Sequence, residues 1–208
     1  MLENLDVNML TGLLTGLFCP VLLNKLNSIG NIKTYIKLVH TKSKVLKYNY
    51  GFYTDGKEED AYMYIPMWAD LLNNTRTSKV VRNISLHAYM NNEEIAEFNQ
   101  VQNLEDKNAD EDGKTKIILL GNNETYSFVI PEKSLVRANL EFVLYKNEIE
   151  SEQKNFNKIV LTYSDEKDRL HAFEFLNIRD CWKIGDIEKN KEEKTWMKVK
   201  KKFKVHKK

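Results

Sequence analysis

The chain has 208 residues, with 32 Lys+Arg against 30 Asp+Glu and a formal net charge of +2. Hydrophobic residues make up 42% and charged residues 30%, which excludes a wholly disordered chain and a multi-span membrane protein. Two cysteines, Cys19 and Cys181, exclude a disulfide framework and a tetrahedral cysteine metal set.

In chain order, the first feature is an uncharged apolar run over residues 9–23, MLTGLLTGLFCPVLL. As a helix it covers about 22 Å, short of the ~30 Å hydrocarbon core of a bilayer. Extension to residues 7–26, with Lys25 reaching for headgroups and some local thinning, makes up the difference. Pro20 is tolerated in a membrane helix. The preceding residues carry Glu3 and Asp6 but no Lys or Arg, and no small-residue cleavage site follows. That pattern does not fit a cleaved signal peptide. The run is apolar all round, which favours lipid over a one-sided protein contact. The competing expectation is a helix buried against the rest of the protein.

Lys25, Lys33, Lys37, Lys42, Lys44 and Lys47 come next. Lysine accumulates on the cytoplasmic side of a span. The expectation is a single-pass protein of the cell membrane with its C-terminal domain cytoplasmic; the alternative is a cytoplasmic protein. Gly12 and Gly16 form a G-x-x-x-G, and with Leu13, Leu17 and Phe18 they offer a face for helix pairing and homo-oligomer formation. Residues 1–30 are therefore read as an apolar helix and membrane anchor, and 31–42 as a basic linker.

From residue 43 to 178 the hydrophobic period is two. Ile84, Leu86, Ala88 and Met90 alternate with polar neighbours, as do Val136, Ala138, Leu140, Phe142 and Leu144. One apolar and one wet face is the pattern of antiparallel strands. Seven or eight strands with little amphipathic helix require a second sheet as cover. The predicted fold is mainly β: an antiparallel β-sandwich, immunoglobulin-like or C2-like, with an N-terminal apolar helix and a basic C-terminal tail. Trp68, Tyr126, Phe142, Phe173 and Phe175 are expected in its core. Pro66 is expected to make its strand an edge or to mark a bulge. Hairpins are expected for residues 117–130 around Gly121 and for 159–176 around residues 164–169. The acidic loop at 103–113, NLEDKNADEDG, mimics the front of a calcium loop, but Leu119 stands where a bidentate Glu is required.

Chemistry-bearing motifs are scarce. The chain has no P-loop, nucleophile elbow, dinucleotide fingerprint or HExxH. His40, His87, His171 and His206 lack ligand-spaced partners, and Cys181 lacks a matched base. No enzymatic activity, cofactor or metal is expected, and Cys181 reads as a packed thiol.

Residues 179–208 form a C-terminal segment ending in KTWMKVKKKFKVHKK, with eight Lys and no acid over 194–208. Trp196, Lys198, Lys200, Lys201, Lys202 and Lys204 are the candidate residues for an anionic surface. The alternation there fits either an added edge strand or a free arm. The leading functional reading is a non-enzymatic, membrane-associated adaptor presenting its sandwich to a protein partner. A soluble accessory subunit whose apolar helix docks into a partner is the alternative, and a nucleic-acid-binding module using the tail ranks third.

Overall fold

The computed structural model describes residues 16, 20, 21, 23, 32–38, 51–53, 61–105, 116–119, 125–150, 154–178, 181–182, 196–199 and 202–204. Among them are twelve strands: β1 (Ile32–Leu38), β2 (Gly51–Tyr53), β3 (Tyr62–Asn73), β4 (Lys79–Met90), β5 (Glu93–Glu97), β6 (Asn99–Glu105), β7 (Lys116–Leu119), β8 (Phe128–Ile130), β9 (Leu135–Tyr145), β10 (Lys158–Asp165), β11 (Leu170–Asn177) and β12 (Met197–Lys198). They form two antiparallel sheets. The first runs β12-β1-β3-β9-β6-β7, with β2 also on β3. The second runs β11-β10-β4-β5, with β8 also on β4.

Alternate residues turned into one shared cluster explain the layering. In β3, Met63, Ile65, Met67, Ala69 and Leu71 enter the core; in β10, Ile159, Leu161 and Tyr163 enter it from the other sheet. These residues, with Leu86, Phe98, Phe142 and Phe156, form one cluster between the sheets. Removing so much apolar surface from water is the main stabilising term. Asn91 and Asn92, with φ of 49° and 71°, make the tight β4–β5 turn, a left-handed pair that asparagine tolerates well.

Gln100 and Tyr126 tie the sheets together inside. Gln100 Nε2 donates to the Ile84 carbonyl at 2.9 Å, and its Oε1 accepts the Tyr126 N–H at 2.8 Å. The Tyr126 hydroxyl donates to the Val101 carbonyl and accepts the Glu141 N–H at 3.1 Å. Burial pushes that phenol up to about 12.

Several expectations are corrected. Residues 32–38, expected within a linker, form β1, paired with β3 from Ile32↔Asn73 to Leu38↔Met67. Pro66 lies inside β3, a strand flanked by β1 and β2 on one edge and β9 on the other. It falls in the gap between Tyr64, the last β3 residue opposite β2, and Met67, the first opposite β1, so its missing N–H removes no ladder bond on that edge among the described residues. The hairpin around Gly121 does not form: β7 pairs with β6, whereas β8 crosses to β4 in the other sheet. The β10–β11 hairpin forms as expected. Trp68 is not a core residue; it shares its side of β3 with Asp70, facing outward.

Of the apolar run, only Gly16, Pro20, Val21 and Leu23 are described; they have helical backbone and are exposed. The rest of the expected anchor, including Gly12, Leu13, Leu17 and Phe18, lies outside the described residues. Among the described residues no helix is long and apolar enough to cross a membrane.

Candidate functional site

The outward face of the larger sheet gathers cations and aromatics from four strands. Register dictates the arrangement. Lys198 lies opposite Tyr35, Tyr35 opposite Asp70, and Asp70 opposite Arg137, making one row across β12, β1, β3 and β9. The next row holds Lys37, Trp68 and Asn139, in register across β1, β3 and β9. Trp196 stacks against Trp68, centroids 6.5 Å apart and planes 29° from parallel.

Arg137 is fully committed here. Its Nε and Nη2 donate to the two Asp70 oxygens at 2.7 and 2.8 Å, a bidentate fork. The hydrogen bond to Asp70 holds the guanidinium still more firmly protonated. The same guanidinium lies 4.8 Å from the Trp196 ring and 5.7 Å from the Trp68 ring, and Lys37 Nζ lies 5.5 Å from Trp68. Lys33 and Lys198 are exposed, and among the described residues neither they nor Lys37 pair with a carboxylate. The face can therefore offer three lysine ammoniums and two indoles to an anionic ligand.

The C-terminal segment supplies part of this face because it is pinned at both ends. Val199 N–H donates to the Thr34 carbonyl at 3.0 Å, on the β1 edge. Lys202 bridges to Phe173, and Phe203 N–H donates to the Ala172 carbonyl at 2.8 Å, on the β11 edge of the other sheet. Of the predicted site residues, Trp196 and Lys198 thus join the cationic face, whereas Lys202 and Lys204 are exposed at the opposite sheet. Lys200 and Lys201 lie outside the described residues. At Gly16, a Cβ would meet nothing within 4 Å. Sequence reasoning took Lys33 and Lys37 only as the flank of the apolar run, and missed Tyr35 and Arg137 as residues of the same face as Trp196. The signal was present in β1, where Lys33, Tyr35 and Lys37 alternate with Ile32, Thr34, Ile36 and Leu38.

The other chemistry-bearing side chains are bound into local pairs. His87 sits on the outward side of β4, with Nδ1 2.8 Å from Glu94 Oε1 and Nε2 3.0 Å from Thr162 Oγ1. Ser85 donates to Glu97, and the Tyr89 hydroxyl donates to Glu94 Oε2 at 3.0 Å. Burial first, and then Glu94, push that phenol up. His171 Nε2 lies 3.0 Å from Asp165 Oδ2. Cys181 is buried and its Sγ accepts the Phe156 N–H at 3.3 Å, in keeping with a packed thiol. Among the described residues no group of three His, Cys, Asp or Glu is arranged to hold a metal ion. His40 and His206, and most of the acidic loop, lie outside the described residues.

No family model and no curated protein matches the chain. A solved structure titled "X-ray structure of Northeast Structural Genomics Consortium target SoR45" is similar at 12% identity and a TM-score of 0.33, over 76% of this chain and 90% of that one.

Proposed function

We propose that this protein is a non-enzymatic, membrane-associated interaction protein. It uses an immunoglobulin-like or C2-like sandwich, held at the bilayer by the apolar N-terminal run, to present a surface to a protein partner. The supporting observation is the cluster of lysines on the outward face of the larger sheet. Lys33, Lys37 and Lys198 lie there beside the Trp68–Trp196 stack. Such a cationic patch orients the body on an anionic surface and leaves the smaller sheet turned away, toward a partner. The pairing of His87 and His171 and the burial of Cys181 fit a structural role for each.

Fractionation tests this reading. The full chain should stay in the membrane pellet through a carbonate wash, and deletion of residues 1–28 should release it. Complete recovery of the full chain in the soluble fraction would overturn the proposal.

A further inference from the structure

We propose that the sheet face around Tyr35 is a binding site for the anionic headgroups of a phospholipid bilayer, with Lys33, Lys37 and Lys198 as its phosphate-binding cations. Tyr35 is half-buried and faces outward. Lys33 and Lys37 flank it two residues away on its own strand, a spacing of roughly 7 Å in each direction. Lys198 lies directly opposite in the ladder, at roughly 5 Å between Cα atoms. Three lysines thus neighbour Tyr35 in the ladder, with the Lys37 ammonium over Trp68.

Among the described residues, none of the three lysines pairs with a carboxylate. Of the acids on this side of the sheet, Asp70 is taken by the Arg137 fork at 2.7 and 2.8 Å, and Glu141 lies one row beyond Trp68, opposite Pro66. That leaves Arg137 as a positioning residue: it fixes Asp70 and carries the Trp196 indole, and the lysines remain available as point charges. Trp68 and Trp196 border these lysines with amphipathic indoles, the side chains favoured where lipid meets water.

The chain itself selects lipid over nucleic acid. Val21 and Leu23 are 64% and 57% exposed, and Leu23 is followed nine residues later by Ile32, the first residue of β1. That length reaches at most about 30 Å. An apolar segment seated in a bilayer therefore keeps the lysines of β1 close to the same headgroups, and a weak electrostatic contact gains from the high effective concentration. This inference rests on the membrane-associated reading above and adds to it the ligand and the residues that hold it.

Flotation of the full chain with vesicles tests it. Binding to vesicles containing phosphatidylserine should exceed binding to phosphatidylcholine alone. The triple variant Lys33→Glu, Lys37→Glu, Lys198→Glu should lose more than about a hundredfold of the affinity for the anionic vesicles, since each lysine near such a surface is worth roughly fivefold and each glutamate adds repulsion. The neutral triple Lys33→Ala, Lys37→Ala, Lys198→Ala should lose about a hundredfold and guards against a folding defect. A control of equal charge change elsewhere, Lys133→Glu, Lys154→Glu, Lys167→Glu, should lose little. Equal losses in face and control variants overturn the site. So does tight binding of single-stranded RNA, lost in the face variants, by a chain that shows no preference for anionic vesicles. Flotation independent of headgroup charge and of the three lysines overturns the site but leaves the membrane reading intact. Absence of flotation with any vesicle overturns both.

Discussion

Trp196 stacks on Trp68 with ring centroids 6.5 Å apart, and Arg137 caps the pair at 4.8 Å from Trp196. The contact joins the C-terminal segment to the third strand of the chain across the outward face of the larger sheet. At the far end of the same segment, Phe203 meets Tyr89 edge-on at 4.8 Å on the smaller sheet, beside Val160 and Ala172. Val199 and Lys202 are only three peptide steps apart, a maximum reach of about 11 Å, and stacked sheets pack about 10 Å apart. The segment works as a strap from the β1 edge to the β11 edge, with an aromatic anchor on each sheet.

A strap held at two ends makes the anchors interdependent. Trp196→Ala and Phe203→Ala should each destabilise the fold by about 1–2 kcal/mol, the range for losing a half-buried aromatic contact. The double variant should lose less than the sum of the two, because releasing one end already frays the other. Urea unfolding of the four proteins measures the coupling. Strict additivity would mean that the two ends are attached independently.

Asn73 fastens β3 to the opposite sheet at the point where the chain crosses over. Its side chain is fully buried; Nδ2 donates to the carbonyls of Thr77, Ile130 and Pro131 at 2.8, 3.1 and 2.9 Å, and Oδ1 accepts from Thr75 N–H and Oγ1 at 2.9 and 2.7 Å. Asn73→Ala strands those buried groups, and a loss of about 3 kcal/mol is expected. Thermal unfolding followed by circular dichroism reads it. A change in stability smaller than that of a surface substitution would show that water replaces the amide without penalty.

Alternation alone was enough to read the two-layer antiparallel architecture, since β4, β9 and β10 send alternate residues into the core: Ile84, Leu86 and Ala88; Ala138, Leu140, Phe142 and Leu144; Ile159, Leu161 and Tyr163. It carried no information on partners. The turn around Gly121 looks like a hairpin from its composition, yet Phe128–Ile130 finds β4 in the other sheet. Trp68 was placed in the core on hydrophobicity. Its parity with Asp70 on the same strand was the better guide, because an aspartate paired with an exposed arginine marks the outward side. In β1 the lysines looked like the flank of an apolar run, which hid the strand they sit on. The cationic face depends on register between β12, β1, β3 and β9, and register between segments so far apart in sequence is set by tertiary packing.

The β10–β11 turn is organised by one carboxylate. Asp165 Oδ1 accepts the N–H groups of Lys167 and Arg169 at 2.9 and 3.0 Å; Oδ2 accepts from Arg169 Nε at 2.8 Å and lies 3.0 Å from His171 Nε2. Burial pushes this carboxyl up, but His171, Arg169 and the two backbone donors outweigh it and hold the group well below the usual carboxylate range. A carboxylate depressed in the folded state contributes stability that is fully present above its unfolded value of about 3.9 and is lost as pH falls through the folded value. Asp165→Asn should therefore cost about 1–2 kcal/mol at neutral pH, where a charged acceptor of several hydrogen bonds is replaced by a neutral one. The deficit should narrow as pH is lowered from about 4 toward 2, because the native aspartate is then losing the same interactions. Urea unfolding of both proteins across that range measures the difference, in which carboxylates common to the two cancel. A deficit that stays constant with pH would mean that the turn is held by shape and backbone geometry alone, with no contribution from the Asp165 charge.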